Sequence, residues 1–292
     1  MLSKIQQKNV SALALKKFRD ERRCFVAEGE KLINDLLPYM VCRQLFVTDK
    51  CTTRFAGQNT QCVSDDEMKR ISQLTTPSTA LAVFEKPTES LHIDDLTEQL
   101  VLVLDAVQNP GNLGTIIRLA DWFGIHHIVC SHTTADAFSP KTVQATMGAL
   151  TRVHVHYTDL IGFLTQCRQR NMPIYGTTLD GANLYEQPLT TQGILIMGNE
   201  GNGISTDVAE FITQRLFIPN YPQGVLTSES LNVAVATAIV CAEFRRRCRY
   251  LPGSALSNTK RHNHLAVSFW GFRCMFFIGL RLHHSLPLWH CT

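Results

Sequence analysis

Residues 194–205 read ILIMGNEGNGIS and residues 216–247 read LFIPNYPQGVLTSESLNVAVATAIVCAEFRRR. Each stretch opens with an apolar run of buried-strand length and ends in a polar turn that leads to a helix. Residues 194–197 run into Gly198-Asn199-Glu200-Gly201-Asn202-Gly203. Residues 216–218 run into Pro219 and a long turn, 220–229, before Ser230-Leu231-Asn232 opens an Ala/Val-rich helix reaching Arg247. Glycines beside one carboxylate put many backbone N–H groups at the ends of parallel strands, which is where open α/β sheets bind ligands. Taken alone, these residues fit helix caps as well as a cofactor site. The GxxGxG spacing is not the GxGxxG of dinucleotide folds, no Walker lysine follows, and Ser230 or Asn232 is a good N-cap.

Upstream, the same alternation continues. Residues 101–104 are a continuous apolar run, expected to be a strand buried on both faces. A breaker-rich loop follows over 105–114, then a helix over 115–123. Further strands are expected at 128–130, 153–155 and 174–176, with helices at 141–150 and 160–170 between them. Alternating strands and helices predict a mostly parallel α/β sheet covered on both faces. Within this unit Asn112-Leu113-Gly114-Thr115-Ile116-Ile117-Arg118 sets a polar residue beside a helix start. Arg118, about one turn in, either leans back towards Asn112 or pairs with a surface acid.

Residues 1–85 read as a small α/β unit of their own. Helical spacing over 4–21 sets Leu13, Leu15 and Phe18 among bases, strands are expected at 24–27, 45–47 and 80–84, and a helix at 31–37. Ser64-Asp65-Asp66-Glu67 is a capping box, with Ser64 accepting from the Glu67 amide while Glu67 reaches back. Residues 86–98 read as a linker, and 99–250 as the second domain.

The 292 residues have room for a sizeable core and two domains. The net charge of +3 conceals an asymmetry, because 253–292 hold Lys260, Arg261, Arg273 and Arg281 and no acid, leaving 24 bases against 25 acids elsewhere. Any nucleic-acid signal is therefore local, and the first 23 residues supply one: seven bases against Asp20 and Glu21. The ten cysteines include no CxxC pair, so neither a zinc site nor a disulfide framework is indicated, and free thiols in a reducing cytosol are the simpler reading. The amino terminus is basic and amphipathic, without the apolar centre of a signal peptide. Residues 251–292 differ in kind. Their apolar stretch 265–280 is short for a membrane span and is interrupted by Arg273, five of the eleven histidines lie there, and the tail is expected to be poorly structured. His126, His127, His154 and His156 read as strand or loop residues without catalytic duty.

The order NxGxxxR, then GNEGxG, then IP with SLNVAVA resembles the SpoU/TrmH family of the SPOUT superfamily, which are AdoMet-dependent RNA ribose 2′-O-methyltransferases. Residues 101–247 carry the resemblance, and Phe25-Val26-Ala27-Glu28-Gly29 is similar to the ribosomal-protein-like RNA-binding unit that precedes such domains. The resemblance implies a mostly parallel sheet tied into a deep trefoil knot at its carboxyl end, S-adenosyl-L-methionine as cofactor, no metal, a homodimer and a cytoplasmic location. It implies a structured RNA substrate, rRNA first and tRNA as the alternative. A non-catalytic RNA-binding or assembly protein on the same fold is the competing class. Carried over residue by residue, Asn112, Arg118, Glu200, Ser230 and Asn232 match the family's reaction centre, while Gly198, Ile218 and Leu231, with Thr177 and Leu179 at the end of the preceding strand, match its cofactor positions.

Overall fold

The computed structural model describes residues 1–249 except 56, 57, 89, 223, 224, 226, 227 and 229; the tail read over 251–292 and part of the 220–229 turn lie outside the described residues. Two sheets carry the chain. The smaller is built from β1 (Cys24–Glu28), β2 (Cys42–Val47), β3 (Thr60–Cys62) and β4 (Ala80–Glu85) in the order β1-β4-β2-β3. β4 runs antiparallel to β1 and β2, whereas β3 is parallel to β2. Around it lie α1 (Lys4–Ala12), α2 (Lys16–Arg22), α3 (Glu30–Leu36) and α4 (Asp65–Ile71). The expected capping box opens α4, with Ser64 and Glu67 each accepting from the other's backbone N–H.

The larger sheet comprises β5 (Leu100–Leu104), β6 (His127–Cys130), β7 (His154–Tyr157), β8 (Ile174–Asn183), β9 (Gly193–Met197) and β10 (Gln214–Phe217) in the order β10-β8-β9-β5-β6-β7. Every neighbouring pair is parallel. Its helices are α5 (Pro110–Trp122), α6 (Pro140–Thr146), α7 (Leu160–Gln169), α8 (Thr206–Ala209) and α9 (Val233–Arg249). β5 lies centrally and is buried on both faces: Leu100, Leu102 and Leu104 enter one core, Val101 and Val103 the other. The first of these cores also contains Phe25, Ala27, Leu32 and Phe84, so the two sheets share one continuous apolar interior. Among the described residues no helix is long and apolar enough to cross a membrane.

Several boundaries differ from the sequence reading for identifiable reasons. The helix expected over 4–21 is two helices, because the chain breaks at Leu13 to bury that side chain beneath the small sheet. The carbonyls freed there are taken by Arg19, whose Nη1 donates to Leu13 O and Ala14 O at 2.7 Å. The helix expected from 115 begins at Pro110, since Asn109 caps it and Pro110 fits its first position. The helix expected over 141–150 ends at Thr146, where Met147 (φ 51°) and Gly148 (φ 87°) turn left-handed. β8 continues to Asn183 because its far end pairs with β10 after a register shift. Within the join 86–98, a short 3-10 turn, Ile93–Leu96, buries Ile93 and Leu96 in the second core.

Arg19 also reaches across to the larger sheet. Its Nε and Nη2 both donate to Asp136 Oδ2, at 3.0 and 2.7 Å, and the two side chains are only 4% and 9% exposed. Gln144 on α6 donates to Glu28 O at 2.7 Å, and Phe138 packs against Phe25. At the far edge of the sheet His127 Nδ1 and His156 Nε2 are 3.2 Å apart. Burial holds both imidazoles below their ordinary range, His156 at about 4.

Arg19→Ala leaves Asp136 buried without its partner and is expected to lower unfolding free energy by about 3–5 kcal/mol, read by urea titration. A second expectation concerns pH. The unfolded chain binds a proton at His156 near about pH 6.5, whereas the folded chain does not until about pH 4. This contribution to stability is full above about 6.5 and is lost as pH falls towards 4, so the urea midpoint should decline across that window, and less steeply in His156→Asn.

Candidate active site

The carboxyl ends of β5 and β9 are adjacent, and the chain leaving each is locked by the other. Asp105, 6% exposed, accepts from Ser205 N at 2.8 Å. Ala106 adopts a left-handed φ of 56°, its N–H donates to Ser131 Oγ, and its carbonyl accepts from Asn199 Nδ2 at 2.8 Å. Asn199 also accepts from Gly201 N and Asn202 N through Oδ1 and pairs its backbone with Gly203 in both directions. The turn 198–203 is therefore a closed ring. Only glycine fits at 198, where a Cβ would stand 2.2 Å from Gly203 C.

Three of the expected polar residues meet above this ring. Asn112 Nδ2 donates to Glu200 Oε1 at 2.8 Å, and Asn232 Nδ2 donates to Asn112 Oδ1 at 3.1 Å. Asn232 at the same time caps α9, accepting from Ala234 N and Val235 N. Asn112 occupies the third position of α5, behind the Asn109 cap and Pro110. The Glu200 charge thus sits beside one helix N-terminus and is linked through Asn112 to the cap of another, both favourable settings for an anion. Its second oxygen makes no hydrogen bond with any described residue. At the other ends of these helices Arg245 donates to the Phe123 and Gly124 carbonyls, so α5 and α9 are tied parallel at both ends.

The remaining expected residues lie differently. Arg118 is exposed and makes no hydrogen bond or ion pair with any described residue. Six residues from Asn112, it stands about 120° around the helix from it. Ser230 is exposed and makes no hydrogen bond among the described residues. Thr177, just beyond the β8–β9 pairing, directs Oγ1 to Ile196 O at 3.5 Å, a distance too long for a strong bond. Leu179 is 74% exposed on the bulge where β8 pairing jumps from Gly176 to Ala182, Leu231 is 47% exposed beside Asn232, and Ile218 packs half-buried on the core. Asp105 and Asn199, which lock the turns, carried no role in the sequence reading. The signal for Asn199 was its place before Glu-Gly-Asn-Gly, since asparagine side chains close turns on backbone N–H groups two and three residues on. Among the described residues no three His, Cys, Asp or Glu side chains group as metal ligands.

The profile of the SpoU rRNA Methylase family matches residues 99–242, and that of the MRM3-like substrate binding domain matches 4–82. The chain is 35% identical over 245 residues to the 23S rRNA (guanosine(2553)-2′-O)-methyltransferase RlmP of Bacillus subtilis, covering 82% of this chain and 95% of that protein. A solved TrmH-family structure from Porphyromonas gingivalis is 45% identical, superposes with a TM-score of 0.77 and covers 85% of this chain and 99% of its own. An AdoMet-bound rRNA methyltransferase from Sinorhizobium meliloti is 30% identical, with a TM-score of 0.74 over 85% of this chain and 97% of its own.

Gly198→Ala is expected to open the ring. Amide exchange at Asn199 and Gly203 should quicken by at least about tenfold, the equivalent of about 1.4 kcal/mol of lost protection, while exchange in β1–β4 stays as in the wild type.

Proposed function

The chain belongs to the SpoU rRNA methylase family, and from that premise we propose that it methylates a ribose 2′-hydroxyl of ribosomal RNA with S-adenosyl-L-methionine as donor. The observation that carries the reading is the Asn112–Glu200–Asn232 network, which gathers three distant segments at the strand ends around one carboxylate. The residues present suit the cofactor. Leu179, Ile218 and Leu231 offer apolar surface, and no heavy atom lies within 4 Å of where a Cβ on Gly203 would stand, which leaves that backbone open. When bound, S-adenosyl-L-methionine supplies an electrophilic sulfonium methyl.

The protein's own work is alignment and charge. Asn112 and Asn232, fixed by their mutual bond and by the α9 cap, hold the turns that bring ribose and donor into line. Such positioning is worth up to about 7–11 kcal/mol of a barrier. Glu200 keeps one oxygen on Asn112 and presents the other to the target nucleotide. Arg118 stabilises the developing alkoxide and the adjacent phosphate. Its guanidinium carries a fixed positive charge and acts as an electrostatic partner rather than a base, so the hydroxyl proton leaves to phosphate or water. Ser230 orients the chain before α9.

Residues 1–85 serve as the RNA-binding unit in this reading, 86–98 as the join and 99–250 as the transferase domain, supported by the separate small sheet and its basic helices. A trefoil knot at the carboxyl end is the finer expectation that goes with this family reading. A homodimer is supported by exposed apolar side chains on the paired helices, Trp122 at 80% and Val235 at 50%. Cys24, Cys42, Cys51, Cys62, Cys130, Cys167 and Cys241 are free thiols, in keeping with a reducing cytoplasm.

Incubation with methyl-labelled AdoMet and total RNA from cells lacking the protein should leave label in an alkali-resistant dinucleotide of the rRNA fraction. Arg118→Ala should lower kcat by about 10²–10³-fold while the AdoMet Kd stays unchanged. Label confined to tRNA, or Arg118→Ala with near wild-type turnover, would contradict the reading.

A further inference from the structure

Lys141 stands over the first turn of α5. It follows Pro140 at the start of α6, and its side chain crosses between the two helices, so that a Cβ on Gly111 would lie 3.6 Å from Lys141 Cε. The backbone carrying it is held from both sides. On one, α6 presses against α5 so closely that a Cβ on Gly114 would come within 2.5 Å of Ala145 Cβ and 2.8 Å of Thr142 O. On the other, Asp136 is held by Arg19, and Gln144 is bound to Glu28 O. Lys141 is exposed, and its ammonium makes no hydrogen bond or ion pair with any described residue.

Glu200, near the start of α5, has one oxygen taken by Asn112. Neither α5 nor α6 has an acid in its first turn, so the ammonium adds to backbone N–H groups that are already positive. A second unpaired cation lies on the same stripe. Gly111, Thr115 and Arg118 are four and three residues apart on α5, and Thr115 and Arg118 are exposed. Helical side chains lean towards the N-terminus, so Arg118 leans along this stripe towards Lys141, whose anchor at Gly111 is about 10 Å away along the axis. Gly111, under the Lys141 stem, is the residue before Asn112, so the Lys141 side chain lies next to the helix turn that carries the Asn112–Glu200–Asn232 network.

Resting on the methyltransferase reading, we propose that Lys141 is a substrate-binding residue whose ammonium takes a phosphate of the RNA strand entering the reaction centre, next to the one met by Arg118. Its alkyl stem, laid on Gly111, fixes where that charge stands. Because Gln144 ties α6 to β1 and Arg19 of α2 holds Asp136 in the loop before α6, the Lys141 charge keeps a set distance from the basic helices α1 and α2. One strand can then be held at both places at once.

Methyl transfer to rRNA, measured across a range of salt concentrations, tests this with the full chain and two variants. Lys141→Met keeps the stem over Gly111 and removes the charge, whereas Lys141→Arg keeps both. Lys141→Met should raise the RNA KM about 3- to 10-fold and reduce the slope of log(kcat/KM) against log salt by about 0.7–1, one phosphate contact. Melting temperature and AdoMet Kd should stay at wild-type values, and Lys141→Arg should restore most of the RNA KM. An unchanged RNA KM and salt slope in Lys141→Met would overturn the proposal. A weaker AdoMet Kd with RNA KM unchanged would overturn it too, by assigning the ammonium to the cofactor carboxylate. Wild-type protein that methylates no RNA would overturn the parent reading and this one together.

Discussion

One carboxylate organises the carboxyl-terminal half of the chain. Glu200 sits on a closed glycine turn at the end of a central strand, and the bonds it makes and relays join that turn to the starts of α5 and α9. A hydrogen bond to a charged group is worth about 1.5–3 kcal/mol, roughly twice a neutral one. That charge, set beside one helix N-terminus and linked to the cap of another, holds together segments 88 and 120 residues apart. The turn can offer the carboxylate because its own backbone is already satisfied by Asn199 and the Gly203 pairing. Removing the glycines would break the ring before the chemistry was reached.

The second constraint is the continuity between the two sheets. Their residues share one core, and the buried Arg19–Asp136 pair crosses between them. Arg19 also takes two orphan carbonyls where α1 stops, so the break between α1 and α2 and the docking of the sheets depend on the same guanidinium. The loop and helix that receive these contacts, 134–146, press directly on α5 through Gly114. The basic unit and the Asn112–Glu200–Asn232 network are therefore connected through α6 as well as through the residues of the join. The distance between them is set by packing and does not depend on linker length.

The parts of this arrangement that are local were legible in the sequence. The run Val101-Leu102-Val103-Leu104 announced a strand buried on both faces, Ser64 and Glu67 announced their capping box, and the alternation after residue 99 announced a parallel sheet. Asn112, Glu200 and Asn232 were singled out by a family resemblance, and their direct bonding rests on contacts that no spacing rule contains. One local cap and several long-range effects were hidden. The start of α5 at Pro110 depended on the Asn109 cap, which a breaker-rich composition disguised as loop. The length of β8 depended on pairing with β10, more than thirty residues later. The break at Leu13 depended on a partner for its carbonyls that itself needed Asp136, 117 residues from Arg19. Asn199 was readable in principle as a turn-closing asparagine, but its bond to Ala106 O required β5 and β9 to lie side by side.

The central claim is that the Glu200-centred network is the place where ribose is methylated. Its most direct test is a map of ribose methylation across the ribosomal RNA of cells lacking the protein, complemented with the wild type or with Asn112→Leu. The account predicts one 2′-O-methyl group missing without the protein, restored by the wild type and not by Asn112→Leu. An unchanged map in its absence, or full restoration by Asn112→Leu, would contradict it.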